Sequence, residues 1–560
     1  MSMDTRLLLA LVLMGVVLFG SQYFLGSFNA PPAKKAEAPK SAPAPTADAS
    51  KASASKPAAE AESKPVPAGQ IAAASQDDNI VVDTTLYRVQ FSNRGAVVKS
   101  WVLKQYKDQN KKPVELVNKP GGDKFGYPFS VLTKGMQPSS DPNQALYVAR
   151  KSADGLAVDF EYAAGGFVAR KSFKFEQNRY LVQISSELRE QNRPVQHLVQ
   201  WRGGFGDFTA VSPLATQHSL YFDTTENALE VKTAEDAKKG TIVANGKYQF
   251  AGIGDTYFTA VALPAVNTNW EVQTFGDWVQ FPASGKDELH AGVALGGEGV
   301  NRSPIFVGPK DIDILKSVDP KLEQVVDFGW FWFLAKPLFA VLHSLNDNYI
   351  RNYGWSIIIV TILINILLLP LKITSLKSMK KMAEIQPQVK AIQDKYSHLK
   401  MNDPKRQEQQ AETMALYSKH GVNPLGGCLP MALPIPFLFA FYKVLTVAIE
   451  LRGASWLWVT DLSQPETIAL RVLPLATIAT QFVLQNMTPA TGMDPAQQRI
   501  MKLMPLMFIF LFWNVASGLV LYWLTGNLIG MVQQWVFNQT ISKPAPALAP
   551  APAAAPKKKR

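Results

Sequence analysis

Trp355-Ser356-Ile357-Ile358-Ile359-Val360-Thr361-Ile362-Leu363-Ile364-Asn365-Ile366-Leu367-Leu368-Leu369-Pro370-Leu371-Lys372 is the stretch that decides the fold class. From Trp355 to Leu371 only Ser356, Thr361 and Asn365 interrupt the apolar run, and Lys372 closes it. A helix of this length approaches the roughly 30 Å of hydrocarbon in a bilayer. Comparable runs lie at Leu7–Leu25, Pro430–Ile449, Ile468–Leu484 and Met501–Phe537. The last is too long for one span. Trp513-Asn514-Val515-Ala516-Ser517-Gly518 breaks it into spans of about 501–513 and 518–537. The pattern predicts six spans in a multi-domain membrane protein.

Arg6 precedes the first run, which reads as an uncleaved anchor over residues 1–28. A cleaved secretory signal is the alternative, and Ala30-Pro31-Pro32-Ala33 keeps it open. Residues 29–78 are rich in Ala, Pro, Lys and Ser. They bury too little apolar surface to fold and read as a tether. Residues 79–320 change character. Phe167-Val168-Ala169-Arg170-Lys171-Ser172-Phe173-Lys174-Phe175 alternates, as does Leu86-Tyr87-Arg88-Val89-Gln90-Phe91 before the turn Ser92-Asn93-Arg94-Gly95. Period-two runs between turn signals predict a β-sandwich. Residues 321–349 are aromatic and broken by Lys336-Pro337, which suits an amphipathic helix lying in the membrane interface. Residues 350–540 form the span-bearing core, and 541–560 a basic tail ending in Lys557-Lys558-Lys559-Arg560.

The formal net charge is +12, concentrated beside the apolar runs and in the tail. That placement argues for a membrane surface rather than DNA as the partner of the basic excess. Lys372–Lys419 holds ten Lys/Arg against five Asp/Glu. With six spans, an internal N-terminus puts that segment and the tail inside and residues 79–320 outside, which satisfies the positive-inside rule. Within the internal loop, Met379, Met382, Ile385, Val389, Ile392 and Met414 recur at helical spacing around Asn402-Asp403-Pro404. A helical hairpin over 373–420 follows, with Lys380, Lys381 and Lys390 as candidate recruitment residues.

The chain offers little to covalent chemistry. Cys428 is the lone cysteine, so no intrachain disulfide forms. Six scattered histidines lack metal-ligand spacing, and no phosphate loop or nucleophile elbow is present. Asp207, Asp223 and Glu226 read as solvated loop carboxylates, and Gly296-Gly297-Glu298-Gly299 as a turn. Neither a catalytic residue nor a cofactor is expected.

Polar residues inside spans are costly and mark function. Thr361 and Asn365 are four apart on one helix face, and Thr477, Gln481 and Gln485 form another stripe. Tyr522, Trp523 and Thr525 lie in the last span, and Lys443 is a cation within an apolar run. Interhelical hydrogen bonds of about 0.6–2 kcal/mol each are one reading. A hydrophilic intramembrane groove is the other, and several polar faces with one cation favour it.

Asn423-Pro424-Leu425-Gly426-Gly427-Cys428-Leu429-Pro430, Trp458-Val459-Thr460-Asp461-Leu462-Ser463, Asp494-Pro495-Ala496-Gln497-Gln498-Arg499-Ile500-Met501 and Ser517-Gly518-Leu519-Val520-Leu521-Tyr522-Trp523 together resemble the YidC/Oxa/Alb family of membrane protein insertases. The likeness runs through Gly329–Thr540. Anchor, tether and large external domain match Gram-negative members in kind. The resemblance implies a periplasmic β-supersandwich and a five-span α-helical core around a groove open to cytoplasm and lipid. It implies insertion and chaperoning of nascent inner-membrane proteins, alone or with the Sec translocon, and a ribosome or targeting factor at the hairpin and tail. A secondary transporter or channel, or an envelope scaffold, is the alternative class. Relatives often carry a basic residue where this chain has Asn365, and often Gln where it has Pro434. Lys443 lies about 10 Å below the outer end of its span. Its side chain leans toward the cytoplasmic end, so one expectation is that it serves as the groove cation beside Thr361, Asn365, Gln481, Tyr522 and Trp523, and the alternative is a lysine that snorkels to the outer interface.

Overall fold

The computed structural model describes residues 70–209, 216–265, 267–280, 286–297, 299–396, 405–421, 434–468, 470–488, 505–506 and 512–540. The chain divides into Met1–Ala68 and Gly69–Arg560, and all described residues belong to the second unit. The expected anchor, most of the tether, the Asn423–Pro430 and Asp494–Met501 blocks, most of span 501–513 and the basic tail lie outside the described residues.

Phe167–Phe175 forms one strand over the predicted range. Its odd-numbered positions Phe167, Ala169, Lys171, Phe173 and Phe175 are all buried, as a period of two requires. Ile80–Asp83, Tyr87–Ser92, Val97–Lys107 and Pro113–Glu115 make a four-stranded antiparallel sheet. Fourteen further strands make a second sheet that packs against it. Ile242–Gly254 links the two halves of that large sheet. Its first half pairs with Asn269–Gln280 and its second with Phe258–Ala262 and His218–Asp223. Tyr87, Phe91 and Trp101 of the small sheet meet Phe160, Phe173 and Phe175 of the large one, with ring centroids 4.9–6.1 Å apart. Such tilted and edge-on pairs add specificity to apolar burial. The β-domain begins earlier than expected. Ile71 bridges Ala163 and Ala73 donates to Leu146 O, so residues 71–78 belong to the sandwich and not to the tether.

Alternation carries a lysine into this core. The Lys171 ammonium is buried and donates to Gly95 O (2.7 Å), Phe129 O (2.7 Å) and Ala96 O (3.3 Å). Burial pulls its pKa down to about 7. The unfolded chain, titrating near 10.5, then holds more protons than the folded one between these values. Stability of the β-domain is therefore expected to rise with pH from about 7 to 10.5, with a Lys171 share of up to about 1.4 kcal/mol per pH unit. Thermal melts across that window check this, and Lys171→Met should remove its part of the slope.

Helix α1 (Lys119–Phe125) lies within the β-domain and α2 (Ile312–Val318) follows its last strand. Helix α3 (Trp332–Leu345) buries Ala335, Phe339 and Leu342 and exposes Trp332 and Phe333. Helix α4 (Tyr353–Leu367) starts at an Asn352 side chain that accepts from the Gly354 and Trp355 N–H groups. Gly354 is required there, because a Cβ would lie 2.2 Å from the Trp456 ring. Helix α5 (Leu369–Lys395) follows after a 56° bend, with Pro370 in its first turn. The hairpin helix thus begins inside the run read as a span to Leu371. Pro370 has no N–H to donate and crowds the turn before it, which suits the first turn of a new helix. Helix α6 (Lys405–Lys419) lies within the segment 373–420 read as a helical hairpin. The rest are α7 (Pro434–Val447), α8 (Val472–Met487) and α9 (Ser517–Thr540). Among the described residues no single helix is long and apolar enough to cross a membrane, and the bent pair α4–α5 passes that test together.

Candidate functional site

Thr361 and Asn365 sit on one face of α4, as their spacing requires, and both are buried. Thr361 Oγ1 donates to Ile357 O (2.7 Å), and Asn365 Nδ2 donates to Thr361 O (2.8 Å). Each satisfies part of its polarity within its own helix. The Asn365 Oδ1 faces outward from that ladder and accepts from Lys372 Nζ at 2.7 Å. Lys372 Nζ also donates to Gln533 Oε1 at 3.2 Å. A side chain in the first turn of α5 leans back toward the helix start, and the bend carries it to Asn365. One ammonium therefore joins α4, α5 and α9. Its partners are two neutral amide oxygens, and no carboxylate pairs with it among the described residues.

Lys443 goes elsewhere. Its ammonium is 2.9 Å from Asp327 Oδ2, in the segment between the β-domain and α3. The nearer carboxylate takes the charge, so Lys443 does not serve Asn365. Burial alone would raise the Asp327 pKa, and the Lys443 charge and hydrogen bond bring it below the usual carboxylate value. The cation beside Asn365 is Lys372, which the sequence reading took for the charge that closes a span. The signal that could have found it is Pro370, whose helix restart turns the next residues back over α4.

The other polar residues join α8 to α9. Trp523 Nε1 donates to Gln481 Oε1 (3.3 Å), and Asn527 Nδ2 reaches Thr477 O and Thr480 Oγ1, both at 3.2 Å. Asn527, buried and overlooked in the sequence, thus holds two helices together. Tyr522 packs at a tilt against Phe441 of α7 with centroids 4.7 Å apart. The expected residues do not form one cluster: Lys443 pairs with Asp327, Tyr522 packs on α7, and the other four fall into two sets. Thr361 and Asn365 gather around Lys372, whereas Gln481 and Trp523 belong to the α8–α9 seam. In the hairpin, Met382 and Ile385 pack against Tyr417 of α6. Lys381 and Lys390 are exposed, and Lys380 approaches Glu384 at 3.9 Å.

Two family models match. One described as the 60Kd inner membrane protein covers residues 345–544, and one described as the YidC periplasmic domain covers residues 79–341. A membrane protein insertase YidC of Pelobacter propionicus is 33% identical over 573 residues, spanning 96% of this chain and 100% of the relative. One of Syntrophus aciditrophicus is 35% identical over 566 residues, with the same 96% and 100% coverage. A crystal structure of an active YidC insertase with its first transmembrane domain resolved aligns at 18% identity and a TM-score of 0.35, over 83% of this chain and 93% of that one. Domain order, full-length coverage and identity agree, and the chain belongs to the YidC family of membrane protein insertases.

Proposed function

We propose that this chain inserts nascent membrane proteins through a polar site at the cytoplasmic end of its helical core, with Lys372 as the cation of that site. The family is one of insertases and not of enzymes. The observation that carries the finer reading is the Lys372 ammonium held by Asn365 and Gln533 between three helices. A lysine in an apolar bundle costs about 2.5–3.5 kcal/mol at mid-membrane. Two amide oxygens lower that cost and leave the charge free for a substrate carboxylate. An unpaired backbone group in lipid costs several kcal/mol, and a polar site removes part of this while the substrate's polar segment crosses. The apolar span then passes into lipid, gaining about 0.8 kcal/mol per buried CH₂. Thr361 and Asn365 supply polarity at this site, Gln481 and Trp523 line the neighbouring α8–α9 seam, and Tyr522 lies against α7.

The proposed arrangement is six spans: an anchor in residues 1–28 and five in the core. Both termini and the hairpin are internal, and residues 79–320 are periplasmic. The charge excess in Lys372–Lys419 and in the tail supports this orientation. The bent pair α4–α5 is compatible with a first core span that continues into the hairpin. The Sec translocon is a proposed partner, and the hairpin is the proposed contact for a ribosome or targeting factor. Reversing Lys380, Lys381 and Lys390 to Glu is expected to weaken ribosome co-sedimentation severalfold at low salt, since such attraction is screened. Co-sedimentation that stays the same across a salt series would reduce the hairpin to a solvated connector.

Photo-crosslinking tests the function directly. A crosslinker at Gln533 should capture a stalled, ribosome-bound membrane protein, and one at Trp278 in the β-domain should not. Failure of both positions to capture the nascent chain would defeat the reading.

A further inference from the structure

Helices α4, α8 and α9 all start at the same end of the bundle, and one loop, Ser455–Glu466, covers the three starts. The first N–H groups of a helix have no partner within it and must find one elsewhere. The loop supplies several. Gln464 O accepts from the Ser517 N–H and Oγ, both at 2.8 Å, and Leu462 O accepts from the Gly518 N–H at 2.9 Å. Glu466 serves α8, since its Oε2 accepts from the Leu473 N–H at 2.8 Å. Asn352, which caps α4, is tied to the loop as well: its Nδ2 donates to Ser455 O at 3.1 Å.

The loop is shaped for this place. Trp456 and Val459 exchange N–H···O bonds of 2.9 and 2.8 Å across a tight turn with Leu457 at φ 48°. Trp456 is buried edge-on to Trp355 of α4, in the space that Gly354 leaves. Trp458 turns its indole N–H to Glu466 Oε1 at 2.7 Å. Asp461 Oδ1 accepts from Ser463 through N (2.8 Å) and Oγ (2.7 Å) and stiffens the stretch between them. Glu466 is only 4% exposed, so its carboxylate is answered by an indole and a helix start rather than by water. The positive end of the α8 dipole favours an anion there.

Beneath this cover run the polar groups of the core. Thr361 and Asn365 on α4, Thr477 on α8, and Thr525 and Asn527 on α9 are all buried. Asn527 ties α9 to Thr477 O, one helical turn below Leu473. The line is headed by the Lys372 ammonium at one end and by the loop at the other. Polar groups between helices lower the cost of admitting water and charge, so what closes each end decides from which side the seam is entered.

We propose that Glu466 is a positioning residue that locks the Ser455–Glu466 loop over the starts of α4, α8 and α9, so that the polar seam beneath is closed on the outer side and is entered from the Lys372 end. This rests on the insertase reading above and on the orientation given there. Both carboxylate bonds are charge-assisted and so stronger than bonds between neutral groups. Together they join the Trp458 turn to α8. Without the carboxylate the Leu473 N–H is left buried and unanswered, which is costly, and the turn is freed. Thr361 and Asn365 belong to α4 and Gln481 to α8, so a loosened cover also misplaces the groups of the site.

The test uses the full chain in cells, with Cys428→Ser and one reporter thiol, Thr477→Cys. The Thr477 hydroxyl bonds to Leu473 O of its own helix at 2.8 Å, so the exchange spares the contacts between helices. A membrane-impermeant methanethiosulfonate reagent is added to spheroplasts for the outer side and to inverted vesicles for the inner side. Insertion of a single-span substrate is read by protease protection. With Glu466 intact the thiol should be silent from outside. Glu466→Ala should raise its outer-side rate about tenfold or more, leave the inner-side rate unchanged and lower insertion severalfold. Glu466→Gln keeps one acceptor oxygen and should lie between. Trp458→Phe removes one donor and leaves the α8 start capped, so it decides the matter if Glu466→Ala fails to accumulate, and it should raise the outer-side rate severalfold. An outer-side rate that stays at its starting level in these variants, a rise on the inner side, or an outer-side rise with insertion unchanged overturns the lock. A chain with Glu466 intact that inserts nothing, while the thiol keeps its expected pattern, overturns the insertase reading and leaves the lock standing.

Discussion

Lys372→Ala is expected to reduce insertion of substrates with acidic external segments about tenfold, while neutral substrates change little. The ammonium is joined by Asn365 and Gln533 and lacks a carboxylate partner among the described residues. A charge-assisted hydrogen bond to an incoming carboxylate is worth about 1.5–3 kcal/mol, and about 1.4 kcal/mol is a factor of ten. Lys372→Arg should keep most of the activity. Asn365→Arg in the Lys372→Ala background should restore it, because position 365 and the lost ammonium share one location. Lys443→Ala should not alter the acidic-to-neutral ratio, since its charge is already answered by Asp327. Protease-protected yields for a matched acidic and neutral pair measure all four. Equal losses for the two substrates in Lys372→Ala would assign the lysine to helix packing.

The second large effect is on stability. Asp255→Ala is expected to destabilise the β-domain by about 3–5 kcal/mol. Asp255 is fully buried and accepts from the N–H groups of Asp207 (3.1 Å), Tyr257 (2.8 Å) and Phe258 (2.6 Å). Burial raises its pKa and these hydrogen bonds oppose the rise. Removing the carboxylate orphans three donors and deprives buried Lys310 of the opposite charge that offsets part of its desolvation. For a domain of this size about 1 kcal/mol corresponds to 2–4 °C, so a fall of roughly 10 °C in the melting temperature is the expected reading. Asp255→Asn, which retains one acceptor oxygen, should lose less. A change under about 2 °C would mean that the loop at Gly206 re-forms without it.

The parts legible in the sequence are those whose signal is local. Phe167–Phe175 is one strand because period-two alternation is a property of neighbouring residues. Lys405–Lys419 is one helix because its apolar positions recur at helical spacing between a proline turn and a glycine. Thr361 and Asn365 share a face for the same reason. The errors arose where the deciding partner is remote. Asp207 reads as a solvated loop carboxylate in the sequence, and nothing local links it to Arg452. Only the fold brings them together, as an ion pair that buries Asp207. Lys443 was aimed inward by helix geometry alone, and the carboxylate that captures it comes from a segment with no periodic pattern. Lys372 reads as the end of a span because the apolar run continues through Pro370 to Leu371, and only Pro370 marks the 56° bend.

That bend has a mechanical consequence. Helix α5 runs 27 residues from it, with Pro387 in its interior, so it is an arm about 40 Å long, pivoted at Leu368. Tilting the arm by about 10° swings its far end about 7 Å, yet moves the first turn, where Lys372 sits, by only about 1 Å. One ångström is enough to carry a 2.7 Å contact beyond hydrogen-bond range. A load on the tip of the hairpin is therefore geared down, roughly seven to one, into a small and forceful displacement at Asn365 and Gln533. Whatever grips the tip of the hairpin holds a torque handle on the half-buried ammonium.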